Sequence, residues 1–240
     1  MKKYLPLILF IVGLLVLGGV FIVVKNQKTT LVEEEEKVAE IPFDKRPVVS
    51  LIPSEDGHWL KLIVEKLSFP ANSLDYELLY TLPDGRTQGV PGTVSLSGID
   101  VLERDLLLGS ESSGKFRYDE GVEKGVLTLR FRDDKGKLLG KLTDNFRLFN
   151  DIEEVASDDL SFKYTFDKTP KGVYFVVVSS FGVPKMPSFE VKSGPYGIFS
   201  SSDDKFPGEV EVSGTPFIYQ NDWIELKDTK SDDIGIFVTQ

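Results

Sequence analysis

The sequence predicts an all-β protein, in which an N-terminal transmembrane helix precedes two antiparallel β-sandwich-like modules. Three observations lead to this prediction: an uncharged apolar run near the start, a period-two alternation of apolar and polar residues after residue 46, and turn residues spaced between the alternating runs. The 240-residue chain is accordingly divided into an anchor (1–28), an acidic linker (29–45), a first β domain (46–149), a short linker (150–159) and a second β domain (160–240).

The apolar run "YLPLILFIVGLLVLGGVFIVV", residues 4–24, is long enough to cross a membrane as a helix. At a rise of 1.5 Å per residue it spans about 31 Å, which matches the roughly 30 Å hydrocarbon core. A cleavable signal peptide is the alternative, but such peptides have a shorter apolar region and end at small residues, whereas this run ends at "VFIVVKNQK". We therefore expect a retained, single-pass signal-anchor.

The orientation follows from the positive charges beside the span. Lys2, Lys3 and the α-amino group precede it within three residues, while Lys25 and Lys28 follow it. This slight bias favours a cytoplasmic N-terminus and an extracytoplasmic body.

The composition excludes several classes of function. Outside the first 28 residues the chain has 24 basic and 38 acidic side chains, so nucleic acid is not an expected partner. The absence of cysteine excludes disulfides, cysteine-ligated zinc and thiol catalysis.

The first β domain shows the clearest alternation. Leu60, Leu62 and Val64 share one face of "HWLKLIVEKL", and a second run carries Tyr76, Leu78, Tyr80 and Leu82 before the turn at 83–85. The segment "GVLTLRFRDDKGKLLGKLTDNFRLF" predicts a hairpin with its turn at Gly136.

The second β domain follows the weakly patterned, acidic segment 150–159. Its predicted strands are Ser161–Phe166, Val173–Phe181, Ser188–Val191, Gly197–Phe199, Glu209–Val212, Trp223–Leu226 and Ile234–Val238. The run "VYFVVVSSF" is apolar on both faces. It is therefore either a central strand covered on both sides or a strand with one face docked on the first domain.

In architecture, residues 46–240 resemble the immunoglobulin-like or fibronectin-type modules of single-span, membrane-anchored bacterial envelope proteins. The resemblance depends on the strand pattern and lacks the cysteine pair of antibody domains. It implies an extracytoplasmic location, and it carries over no functional residue because such folds host many functions.

One short motif raises the question of nucleotide binding. Gly109, Gly114 and Lys115 have the spacing of a phosphate-binding loop. Phe116 stands where Ser or Thr would hold magnesium, and Phe116 and Tyr118 alternate with polar residues as in a strand. We interpret the motif as a turn between strands and expect no nucleotide.

Catalysis has little support in the sequence. His58 is the only histidine, and its place at a strand start favours a partly buried structural role. No G-x-S-x-G, H-E-x-x-H or S-x-x-K motif occurs, although a paired-carboxylate hydrolase stays open.

Calcium is the only cofactor that the sequence suggests, because clustered carboxylates suit this cation. The alternative is that the clustered Asp residues are solvated acidic turns that bind no metal. The candidate ligands are Asp158, Asp159, Asp203, Asp204, Asp228, Asp232 and Asp233.

Aromatic side chains are the candidates for binding a protein or a glycan, with core packing as the alternative role. They are Trp59, Tyr196, Phe199, Tyr219 and Trp223. We expect a non-catalytic, membrane-anchored interaction or scaffolding protein. Its alternatives are an anchored carboxylate-based hydrolase and an accessory subunit of a membrane transport or export complex.

Overall fold

The computed structural model describes residues 38–240, and these form an all-β structure. Every named strand pair among them is antiparallel. The all-β, antiparallel part of the predicted fold class is therefore confirmed. The predicted span, residues 4–24, lies outside the described residues. Within residues 38–240, no helix has the length and apolar character needed to span a bilayer.

The first nine strands of the described chain are β1 (Val48–Pro53), β2 (Trp59–Glu65), β3 (Ser73–Thr81), β4 (Thr87–Ser95), β5 (Leu102–Leu107), β6 (Gly109–Ser112), β7 (Lys115–Tyr118), β8 (Lys124–Arg132) and β9 (Leu138–Asn150). The remaining strands are β10 (Glu154–Ala156), β11 (Phe162–Phe166), β12 (Tyr174–Ser179), β13 (Ser193–Ser200), β14 (Gly208–Val212), β15 (Pro216–Gln220), β16 (Asp222–Glu225), β17 (Lys230–Ser231) and β18 (Ile236–Thr239).

The strands of residues 38–240 form one large sheet and three smaller ones. The large sheet has nine strands in the order β16-β15-β18-β13-β12-β9-β8-β3-β4. A three-stranded sheet has the order β1-β2-β5, a four-stranded sheet has the order β10-β11-β14-β17, and β6 and β7 form a separate hairpin.

The first core lies between the three-stranded sheet and the large sheet. Leu60, Leu62 and Val64 of β2 are fully buried, as their alternation predicts, and they share a cluster with Leu78 of β3 and Leu129 of β8. Alternate residues of a strand point to one face, so β2 presents an apolar face to this core, and its other face carries the half-buried Trp59 and Ile63 with the exposed Lys61 and Glu65. The predicted hairpin is the pair β8–β9, and Gly136 has the positive φ of a turn residue.

The second core lies under the four-stranded sheet. Phe162, Tyr164 and Phe166 of β11 pack with Phe175 of β12 and Phe237 of β18. The hydroxyl of Tyr164 donates a hydrogen bond of 2.6 Å to the buried Phe206 carbonyl oxygen. This core therefore contains a polar group whose hydrogen bond is satisfied internally.

Strand β12 belongs to both cores. Val176 and Val178 lie in the first core, whereas Phe175 and Val177 lie in the second. Because successive side chains point to opposite faces, the two small sheets cover opposite faces of the large sheet at β12. Both alternatives for "VYFVVVSSF" are met, because β12 is a central strand covered on both faces and one of these faces packs on the first predicted domain.

The segment predicted as a linker, 150–159, is itself structured, and its Val155 belongs to the second core. It contains β10, which pairs with β11. The large sheet continues across it, because β9 pairs with β12. Residues 39–240 form one compact unit, in which two cores share one sheet.

The strand predicted at Ser188–Val191 is not formed. Phe189 and Val191 instead pack against a small third cluster of Val183, Phe217 and Val238. Their apolar alternation reflects side-chain burial without a ladder of backbone hydrogen bonds.

Candidate functional site

The β6–β7 hairpin is the segment in which the sequence raised the question of phosphate binding. Its register pairs Gly109 with Tyr118 and Ser112 with Lys115, leaving Ser113 and Gly114 as the turn. Both turn residues have positive φ, 52° and 73°, as a two-residue type I′ turn requires. A turn between strands is confirmed, but it is limited to these two residues, because Gly109–Ser112 forms β6. Lys115 begins a strand, whereas a phosphate loop needs a helix at that point.

The two faces of this hairpin differ in chemistry. Phe116 and Tyr118 are two residues apart on β7 and therefore point to one face, together with Glu111, the cross-strand partner of Phe116. Lys115 and Arg117 point to the other face. Every residue of β7 is exposed.

Four aromatic rings on this side form a contiguous group, which we name the aromatic row: His58, Trp59, Phe116 and Tyr118. The Tyr118 ring stacks on His58 with centroids 4.2 Å apart and planes 7° from parallel. The Phe116 ring meets Trp59 edge-to-face at 5.5 Å and is nearly parallel to Tyr118, with 6.2 Å between centroids. Phe116 is 46% exposed and Tyr118 is 38% exposed.

His58 and Trp59, the members of the row at the start of β2, are held by a tight turn at Ser54–His58. The Ser54 hydroxyl donates to Asp56 Oδ1 at 2.6 Å, and the same oxygen accepts the backbone N–H of His58 at 3.1 Å. The Ser54 hydroxyl oxygen in turn accepts the Trp59 N–H at 3.0 Å. The hydrogen bond from Ser54 is the main reason that the pKa of Asp56 is lowered.

Main-chain bonds also connect the two halves of the row. The Leu108 N–H donates to the His58 carbonyl oxygen at 2.8 Å, and the Asp119 N–H donates to the Leu108 carbonyl oxygen at 2.9 Å. These bonds hold the backbone of β2 close to that of the hairpin and so bring the His58 and Tyr118 rings within stacking distance. His58 is partly buried at the strand start, as predicted.

The aromatic residues singled out in the sequence lie in separate places, and only Trp59 belongs to the row. Tyr219 and Trp223 form their own edge-to-face pair at 5.3 Å, and the Trp223 Nε1–H donates to the Lys185 carbonyl oxygen at 2.6 Å. Phe199 packs against the first core, and Tyr196 stacks on Phe162.

Sequence reasoning did not select Phe116 and Tyr118 as binding residues. Their signal was present, because two aromatic residues alternated with Lys and Arg directly after a turn. An alternating strand with aromatic residues is ordinarily half-buried, so the pattern alone did not indicate exposure.

A cavity of about 240 Å³ contains two of the predicted calcium ligands, Asp158 and Asp159, beside Asp144, Asn145 and Tyr196. Asp158 accepts a hydrogen bond of 2.7 Å from the Asn145 side-chain amide.

The carboxylates of Asp144 and Asp159 differ in their surroundings. Burial raises the pKa of Asp144. Hydrogen bonds from the Ser157 and Ser161 hydroxyls, at 2.6 and 2.8 Å, lower the pKa of Asp159.

The other predicted calcium ligands are dispersed. Asp204 accepts the Ser202 hydroxyl at 2.8 Å, and Asp203 lines a separate shallow pocket. Asp233 accepts the backbone N–H groups of Phe206 and Ile234, while Asp228 lies in the 3-10 turn Lys227–Thr229 and Asp232 directly follows β17. In residues 38–240, no group of three acidic or histidine side chains is arranged to hold a metal ion. Calcium binding stays a prediction.

Comparison of the chain with protein-family models, curated proteins and solved structures finds no match.

Proposed function

We propose that this protein is a non-catalytic interaction module, anchored by the apolar span at residues 4–24, that binds a partner outside the cytoplasm through the aromatic row. The proposal includes two sandwich-like halves on a single-pass anchor in a bacterial envelope. It depends above all on one observation: two large aromatic side chains, Phe116 and Tyr118, are exposed side by side on a projecting hairpin.

The Phe116 and Tyr118 rings lie side by side and form a contiguous exposed patch with the rest of the row. Contiguous apolar patches on soluble surfaces mark interaction sites, and aromatic side chains are enriched there. The turn and the ladder of the hairpin depend on its backbone and do not themselves require aromatic side chains at positions 116 and 118. The backbone under the row is held by hydrogen bonds before binding, so little backbone entropy is lost on contact.

The experiment that tests this proposal is site-specific photo-crosslinking in intact cells with the full-length chain. A photoreactive phenylalanine replaces Phe116 in one variant and Ile224 in the other. Ile224 lies on β16 and is also 46% exposed, so it is a matched control. We expect a discrete adduct from position 116 that position 224 does not give. Identical adducts at both positions, or none at 116, would contradict the proposal.

The anchored part of the proposal has its own test. Protease added to intact spheroplasts should digest the body, and a cytoplasmic control protein should survive. Protection of the body until the membrane is lysed would contradict the extracytoplasmic location.

A carboxylate hydrolase is the second candidate, and the cavity at Asp144 and Asp159 favours it. Two carboxyl groups whose pKa values are shifted in opposite directions are typical of acid–base pairs. The cavity volume of about 240 Å³ is below the ~300–1,000 Å³ common for ligand sites, and Asp159 already accepts two serine hydroxyls. Hydrolysis of glycan or peptide substrates that Asp144→Asn abolishes would support this second candidate.

A further inference from the structure

We propose that the group bound at the aromatic row is cationic: an arginine or lysine side chain in a basic segment of the partner protein. This inference rests on the proposed function and names the chemical class of the partner. It comes from the way in which the hairpin distributes its charges between its two faces.

On the hairpin itself, Glu111 is the only charged side chain of the aromatic face. Lys61, which shares a face of β2 with Trp59, is opposite the acidic Asp105. Glu111 is the cross-strand partner of Phe116, which places the two side chains side by side on one face. Asp56 lies two residues before His58, in the turn that supports the row. The faces of aromatic rings are themselves electron-rich and attract cations at short range.

The basic residues of the hairpin are directed away from this face. Lys115 and Arg117 alternate with Phe116 and Tyr118, and they are opposite Ser112 and Ser110. Neither lies over a ring of the row, although Arg147 and Arg46 of this chain do lie over rings elsewhere. In the described part of the chain, Glu111 forms no ion pair. The aromatic face therefore has an uncompensated carboxylate beside two exposed rings.

The charge of the whole chain favours the same class of partner. With 38 acidic and 28 basic residues, the protein has a formal charge of −10 and attracts basic molecules over distances of about a Debye length. An acidic partner would be repelled. A neutral glycan would gain from the rings but would gain nothing from Glu111.

The inference is tested by calorimetric titration of the full-length chain in lipid nanodiscs with three probes: an acetylated tetra-arginine amide, the matching tetra-glutamate, and a neutral chito-oligosaccharide. We expect binding of tetra-arginine alone. Phe116→Leu keeps an apolar side chain but removes the ring, and should weaken tetra-arginine binding about tenfold. Glu111→Gln should weaken it about threefold.

A matched control distinguishes binding at the aromatic row from non-specific attraction of tetra-arginine to the acidic surface. Glu103 is an exposed acid on β5, opposite Ile63 and four residues along β2 from Trp59. Glu103→Gln removes the same charge and should leave binding unchanged. Equal losses in Glu111→Gln and Glu103→Gln, or no loss in Phe116→Leu, would overturn the inference. So would binding of the oligosaccharide or tetra-glutamate in place of tetra-arginine.

The crosslinking experiment distinguishes failure of this inference from failure of the proposed function. An adduct at position 116 whose partner segment contains Arg or Lys supports both. If the segment contains neither, the interaction role stands and the cationic class is overturned. Absence of any adduct specific to position 116 overturns both.

Discussion

The two cores of this protein are packed with different kinds of side chain. Of the 24 buried residues in the first core, 13 are leucine and four are aromatic. Of the 12 in the second core, six are aromatic. Leucine-rich cores tolerate exchanges of similar volume, whereas aromatic clusters depend on ring orientation and lose more when one ring is removed. We expect the second core to be the more sensitive to single substitutions.

The largest expected effect is that of Phe175→Ala. The Phe175 ring contacts Phe166 at 4.7 Å and Phe206 at 4.9 Å, and it is fully buried. Its removal should lower the free energy of unfolding by about 3–5 kcal/mol through lost burial and a residual cavity. Urea unfolding measures this, with Leu62→Met in the first core as the tolerated control, at less than about 1.5 kcal/mol. A smaller loss for Phe175→Ala than for Leu62→Met would reverse the comparison.

A matched pair of tyrosines provides the next comparison. In the second core the Tyr164 hydroxyl donates to the buried carbonyl oxygen of Phe206, so Tyr164→Phe leaves an acceptor that water does not reach. We expect a loss of about 1–2 kcal/mol. In the first core the Tyr80 hydroxyl donates to the carboxylate of the partly exposed Asp119 at 2.9 Å, which water can solvate in its place, so Tyr80→Phe should cost about 1 kcal/mol or less. Equal losses in the two variants would show that burial of the acceptor is unimportant.

The sequence predicted those strands in which one face is buried, because apolar and polar residues then alternate along the strand and the pattern is visible within a few residues. Leu60, Leu62 and Val64 of β2 and Leu127 and Leu129 of β8 are examples, and all are buried. The strand order could not be predicted in this way. The pairing of β9 with β12 joins segments that are distant in sequence, and no local pattern specifies which strands become neighbours.

The candidate site was only partly predictable for the same reason. The turn at Ser113–Gly114 followed from its residues, and the alternation of Phe116 with Tyr118 was visible. The stacking of Tyr118 on His58 depends on β2 pairing with β5, which brings Trp59 opposite Leu107. Likewise, Asp158 and Asp159 were singled out, but Asp144 joins their cavity only through the folding of β9.

Two carboxyl groups of that cavity should have opposite effects on the pH dependence of stability. Burial raises the pKa of Asp144 in the folded state, so its ionised form destabilises the fold at pH 7, and this cost is relieved as the pH falls through the raised pKa. Asp144→Asn should therefore stabilise the protein at pH 7 relative to its effect at pH 3.

Asp159 should behave in the opposite way. Hydrogen bonding to Ser157 lowers its pKa below 3.8, so its contribution is present above that value and is lost as the pH falls through the lowered pKa. Asp159→Asn should destabilise the protein at pH 7 and have a smaller effect at pH 2. Urea unfolding at the three pH values checks both variants, and shifts of the same sign for the two would contradict the assignment.

The smallest expected effect lies outside both cores. Phe116 is on an exposed hairpin, so Phe116→Ala should change the free energy of unfolding by about 0.5 kcal/mol or less. The same variant should lose the partner contact proposed for the aromatic row. A loss of several kcal/mol in urea unfolding would instead mark Phe116 as a structural residue.

Because β12 is shared between the two cores, the predicted division at 150–159 does not imply two modules that unfold independently. Two independent modules would unfold separately, whereas cores on opposite faces of one sheet should unfold together. Val176 and Val177 are adjacent, are both buried and face opposite cores. Alanine at either position removes the same volume from a different core.

Native-state hydrogen exchange of Val177→Ala measures whether the two cores open together. We expect equal losses of amide protection in β2 of the first core and in β11 of the second, because both exchange through a common opening. Loss of protection in β11 alone, with β2 unchanged, would contradict it.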